Sequence, residues 1–149
     1  MPSHHNQRRS QKGGGHKPPR DLGMEIKFRA QDDRIDPDLF DRTAREAARR
    51  VADCRREQNK STQLRRFYDE LVMWEEKVRQ APDKFEEYLP FIRMLKAKVA
   101  YAEGRKLVDH AFVDLMDQTI DFVKTADDLR VAKLFFEAFL GFYKLEKGD

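Results

Sequence analysis

Only one cysteine, Cys54, occurs in the 149 residues, so no disulfide can form within the chain and a reducing, cytoplasmic setting is expected. Glycine is also scarce, and the one glycine run, at 13–15, is not followed by a helix opening with the Lys and Ser or Thr of a phosphate loop. A nucleotide site of that type is excluded. No apolar stretch approaches the roughly 20 residues of a membrane span, because the longest, LFFEAFLGFY at 134–143, is interrupted by Glu137. The first twenty residues are polar and basic, which leaves no secretory signal in them. What is abundant is charge, at 38%, beside 40% hydrophobic residues, with few β-branched runs. That balance favours an all-α fold, and the length suits one domain with a real core.

Charge is unevenly spread. The net value is only +3, yet residues 1–106 are net basic and residues 107–149 net acidic. Arg8, Arg9, Lys12, Lys17 and Arg20 precede the first acid, Asp21, in a stretch that also carries the glycine run and Pro18–Pro19. Too little apolar surface is present there to order the chain, so residues 1–35 are expected to form a mobile basic arm ahead of a helical bundle at 36–149. Inside the arm, MEIKFRA at 24–30 alternates as a strand would.

Five helical patterns follow. The first runs from about Pro37 to Glu57 after the start signal IDPD, with Phe40, Ala44, Ala47, Val51 and Cys54 on one face. The second begins at Ser61 or Thr62 as cap, and Leu64, Phe67, Tyr68, Leu71, Trp74 and Val78 form its apolar face. A third starts near Asp83, with Pro90 in the first turn of a fresh segment reaching about Arg105; its core face is Phe91, Ile92, Leu95, Val99 and Ala102. The fourth spans about Val108 to Lys124 and the fifth about Ala126 to Lys144. The fifth is apolar nearly all round, leaving only Arg130, Lys133, Glu137 and Lys144 as a polar strip. Such a helix is central in its bundle or shared with another chain, and Val131, Phe135 and Phe142 are the candidate self-association residues.

The search for chemistry gives little. His110 and Asp114 stand one helical turn apart with Asp109 and Asp117 nearby, but no facing helix supplies the Glu-x-x-His partners of a metal site in a bundle. His4, His5 and His16 fall in the basic arm and receive no role. No catalytic residue, metal or cofactor is expected, and the chain does not read as an enzyme.

Two basic edges stand out instead. On the third helix Met94, Lys98, Tyr101 and Arg105 recur at i, i+4, i+7 and i+11, a stripe along the edge of the core face. Two cations flanking an aromatic ring suit a nucleic-acid backbone, and equally suit side chains lying along a half-buried tyrosine. On the second helix Arg65 and Arg66 both point away from the apolar face, with Met73 one heptad after Arg66. Geometry along one helix leaves a contact surface and a solvated face both open.

Taken together, KSTQLRRFYDEL at 60–71 and LKAKVAYAEGR at 95–105 resemble the small subunit of the type III-A (Csm) CRISPR-Cas effector complex. The first is similar to that family's Thr-x-Gln-hydrophobic-Arg-x-Phe opening, and the second to its Lys-x-Lys-hydrophobic-Ala-Tyr-x-x-x-Arg segment. The likeness extends more loosely through FFEAFLGFYK, covering roughly residues 60–144. The resemblance implies a non-catalytic helical bundle, stacked in several copies beside the subunits that hold the guide, which touches the backbone of the guide and target RNA duplex without reading sequence. It implies Arg65, Lys98, Tyr101 and Arg105 as RNA contacts, and Lys60 and Arg66 join them by position. The competing assignment is a helical adaptor between proteins with no nucleic-acid contact.

Overall fold

The computed structural model describes residues 20–149. Among them the chain forms α1 (Ala44–Ala52), α2 (Ser61–Gln80), α3 (Phe85–Arg93), α4 (Leu95–Gly104), α5 (His110–Phe122) and α6 (Ala126–Lys147). A π-helical turn, Leu39–Thr43, leads into α1, and a 3-10 turn, Pro82–Lys84, leads into α3. The architecture is the all-α bundle that the pattern predicts. α3 and α4 are the two parts of the third predicted helix, joined through Met94, whose backbone stays helical at φ −62° and ψ −19°. Pro90 lies inside α3 rather than opening a new helix. Its carbonyl still accepts from the Met94 N–H at 3.1 Å, so the axis is interrupted four residues after the proline and not at it.

α6 is central. It packs against α1, α2 and α5, and Val131, Phe135, Phe136, Phe139 and Tyr143 along it are fully buried. Its start is fixed by reciprocal capping: the Thr125 hydroxyl accepts from the Asp128 N–H at 3.1 Å while the Asp128 carboxylate accepts from the Thr125 N–H at 3.2 Å. Gly148 ends it in the left-handed region, φ 68°, where a side chain would be strained. The placement corrects the assignment of Val131 and Phe135 to a self-association surface. Both are consumed by the core of this one chain, which leaves only half-buried Phe142 of the three available to a second copy.

Other expectations are adjusted by local geometry. The π turn, closed by the Thr43 N–H on the Asp38 carbonyl, shifts the helical phase, so Leu39 is buried and Phe40 is exposed. α1 ends five residues before Glu57, because the Val51 carbonyl is taken by the side chain of Asn59. Neither Ser61 nor Thr62 caps α2. Lys60 holds the cap position, and the Ser61 N–H and hydroxyl are met by the Asp149 carboxylate. Phe91, placed in the core by periodicity, is 52% exposed and stacks on Trp74.

The largest correction concerns residues 20–35, expected to be mobile; residues 1–19 of that arm, with His4, His5 and His16, lie outside the described residues. The segment from Arg20 to Ala30 is a strap along α5. Leu22, Ile26 and Phe28 are buried, while the backbone between them is held by side chains one helical turn apart. Asp114 accepts from the Leu22 N–H at 3.1 Å, and Gln118 both accepts from the Ile26 N–H at 2.8 Å and donates to the Met24 carbonyl at 3.0 Å. MEIKFRA therefore does alternate as an extended segment, but its partner is a helix face and not a strand. Only a single antiparallel bridge, Arg29 with Ile35, is present in the region.

Arg29 anchors the far end of the strap on Asp127 and Asp128, at 3.0 and 2.8 Å. Hydrogen bonds from Arg29, then Arg130, hold the Asp127 carboxyl below its ordinary value. A depressed carboxylate contributes stability that is present above about pH 4 and is lost as pH falls through the lowered value. The melting temperature of Arg29→Ala should accordingly lie below that of the wild type at neutral pH, and the gap should narrow as the pH falls below about 4. Thermal melts across that range check it, and a gap that widens in acid excludes the mechanism.

Candidate nucleic-acid interface

Of the six residues singled out on the two basic edges, the fold separates two groups. Arg66 and Glu70 are one turn apart on α2, and Glu70 crosses to Lys98 of α4 at 2.6 Å, a single ion pair that marks the seam between the two helices. Along the α4 side of that seam follow Tyr101 and then Arg105, whose guanidinium lies 5.9 Å from the tyrosine ring centre. Tyr101 is 68% exposed, so it is not the half-buried ring over which cations merely lie. Met94 and Met73 are exposed as well, and Phe91 continues the apolar strip.

Arg65 is turned toward α6. It lines a shallow hollow with Thr62, Leu140, Tyr143, Lys144 and Asp149, while Lys60 sits at the start of α2 beside Arg56 and Lys147. Lys60, Arg65, Arg66 and Arg105 form no ion pair with any described residue, whereas Lys98 is engaged by Glu70. Arg66 shares its face of α2 with Glu70, and Arg105 follows Lys98 two turns along α4, while Arg65 and Lys60 lie round the helix from them.

The residues that looked closest to catalysis have structural tasks. His110 lies 3.0 Å from Glu103 and 3.3 Å from Asp21, and Asp114 holds the strap. Asp109 caps α5 through the Phe112 N–H at 3.3 Å and accepts from Asn59 at 2.9 Å. Burial pushes the Asp117 carboxyl up, against the opposing charge of Lys96. Among the described residues no group of three or more His, Cys, Asp or Glu is placed to hold a metal ion, and no helix is long and apolar enough to cross a membrane.

Asn59 is the structurally important residue that periodicity does not reveal. It is fully buried at φ 51°, its amide donates to Val51 and Asp109, its side-chain oxygen accepts from the Asp109 N–H at 2.9 Å, and its carbonyl accepts from the Tyr143 hydroxyl at 2.5 Å. Burial pushes the Tyr143 phenol far up, which keeps it a donor. The signal available in the sequence is asparagine itself, which tolerates the left-handed region in the linker before a helix.

The fold is a small helical bundle with an exposed basic and aromatic edge. The family model described as Csm2 Type III-A matches residues 36–149, and the chain belongs to that family. It is a small subunit of the type III-A Csm complex, of a structural kind, and its partners include other subunits of that complex. The match begins after the strap, so residues 20–35 are packed onto the family's bundle from outside the matched region. No curated protein and no solved structure matches the chain.

Proposed function

We propose that the chain is a non-catalytic RNA-binding and assembly subunit, which lies in several copies along the guide and target RNA duplex in the cytoplasm and meets the backbone without reading sequence. The observation that carries the reading is the Glu70–Lys98 pair and its neighbours: Arg66 lies one turn from Glu70 on α2, Arg105 lies two turns after Lys98, both arginines are unpaired among the described residues, and exposed Tyr101 falls between Lys98 and Arg105. Guanidinium groups without carboxylate partners suit phosphate, and an exposed ring suits a sugar or base face. Sequence reading is then left to base pairing between guide and target. Arg65 and Lys60 extend the contact round α2. Copies of the chain would meet through surface that the core leaves open, with Phe142, half-buried under the Arg45 guanidinium at 4.7 Å, and 84% exposed Leu145 as the apolar candidates on α6.

The decisive experiment uses the assembled complex with its guide and a complementary RNA. Arg66→Ala combined with Arg105→Ala is expected to weaken binding about tenfold near 0.15 M salt, and to reduce the salt slope by about 1.5 as two phosphate contacts are lost. A helical adaptor with no nucleic-acid contact predicts no change in either quantity. Unaltered affinity and slope in the double variant would therefore favour the adaptor.

A further inference from the structure

Lys98 is matched by the RNA-contact motif, yet its ammonium is already occupied. Glu70 Oε1 lies 2.6 Å from it, across from α2 to α4, while the lysine side chain remains 48% exposed. The other oxygen, Glu70 Oε2, is closed off from solvent and has no hydrogen-bond partner. We propose that Glu70 is a built-in competitor for the phosphate that Lys98 takes, so that RNA must displace a carboxylate to use this cation. The proposal rests on the backbone-binding reading above.

The physical case has three parts. A carboxylate oxygen and a phosphate oxygen are alternative acceptors for the same ammonium, and both carry charge that repels the other at close range. An approaching phosphate therefore draws Lys98 away from Glu70. Second, a half-satisfied carboxylate is a poor place to leave a buried acceptor, so release lets Oε2 regain hydrogen bonds and offsets the loss of the pair. A fully satisfied pair would resist the exchange. Third, the half-exposed lysine has a flexible stem that can swing outward into solvent, where a phosphate can reach it. The consequence is discrimination. One copy of the subunit holds stray polyanion weakly, while a backbone laid along several copies displaces several carboxylates together and gains the multivalent advantage.

The test is the rate at which complementary RNA leaves the assembled complex at raised salt. Glu70→Gln, which keeps the shape and removes the charge, is expected to slow dissociation by about two- to fivefold, the range of an exposed ion pair. The gain should vanish when Lys98→Ala is already present, and Glu76→Gln, on another face of α2, should not reproduce it. Dissociation that is unchanged or faster in Glu70→Gln overturns the proposal, the faster result meaning that Glu70 positions Lys98. An equal gain in the Lys98→Ala background or in Glu76→Gln overturns it too, leaving a general charge effect. Failure of the backbone reading has a separate signature, because Arg66→Ala with Arg105→Ala would then leave dissociation untouched. Melting curves of each variant show that the bundle is intact, as both exchanged side chains are partly exposed.

Discussion

Asn59→Ala is expected to destabilise the bundle by about 3 kcal/mol, lowering the melting temperature by roughly 10 °C. Three separate losses combine. The Val51 carbonyl and the Asp109 N–H lose partners at a fully buried position, and alanine is strained at φ 51° where asparagine is tolerated. The damage also spreads to three elements, since Asn59 ties the end of α1 to the start of α5, and its carbonyl receives the Tyr143 hydroxyl of α6. Asn59→Gly separates the terms: glycine removes the backbone strain and restores none of the side-chain bonds. It should recover no more than about 1 kcal/mol of the loss. A variant as stable as the wild type by thermal and denaturant unfolding would show that water or a rearranged loop replaces the hub.

Phe28→Ala is expected to cost about 3 to 4 kcal/mol, the range for emptying a buried aromatic site. Phe28 stacks on Phe122 at 4.3 Å between ring centres and meets Phe135 edge-on at 5.3 Å, so its removal opens a hole that the central helix lines. The strap has few other elements around it, and it can detach locally before the bundle unfolds. Native-state hydrogen exchange separates the two routes. Loss of protection confined to the Leu22 and Ile26 amides, which bond Asp114 and Gln118, marks a released strap. Loss across α5 and α6 marks a weakened core. Full protection at Leu22 and Ile26 with an unchanged unfolding midpoint would mean that Phe28 contributes nothing to holding the strap.

Much of the bundle is legible in the sequence because amphipathic period is a property of neighbouring residues. Leu64, Phe67, Leu71 and Val78 repeat as a helix requires, and all four are buried. The nearly continuous apolar surface of α6 shows that it needs partners on most sides, but periodicity does not say whether those partners belong to the same chain. Here the partners are internal: α1, α2 and α5 pack on α6, Phe28 of the strap meets Phe135, and both Val131 and Phe135 are fully buried. The strap was hidden for the converse reason. Four apolar residues in alternation, set among charges, cannot stabilise themselves, and the Asp114 and Gln118 side chains that hold their backbone lie about 92 residues away.

The candidate interface divides along the same line. Both cationic edges and the aromatic between Lys98 and Arg105 follow from spacing on single helices, and the resemblance seen in the sequence rests on those stretches. Their grouping does not. Adjacent arginines on a helix differ by 100° in direction, so whether Arg65 or Arg66 joins the α4 edge depends on where α2 packs.

By itself, then, the sequence determined an all-helical chain, the positions of its helices and the family to which its motifs belong, since each of these is encoded in local period and residue type. Tertiary structure alone decided that Glu70 of α2 already holds Lys98 of α4, that Phe142 and not Val131 or Phe135 remains at the surface, and that Leu22, Ile26 and Phe28 of the strap belong to the core. Each of those outcomes depends on contacts between residues far apart in the chain, where no local pattern carries the information.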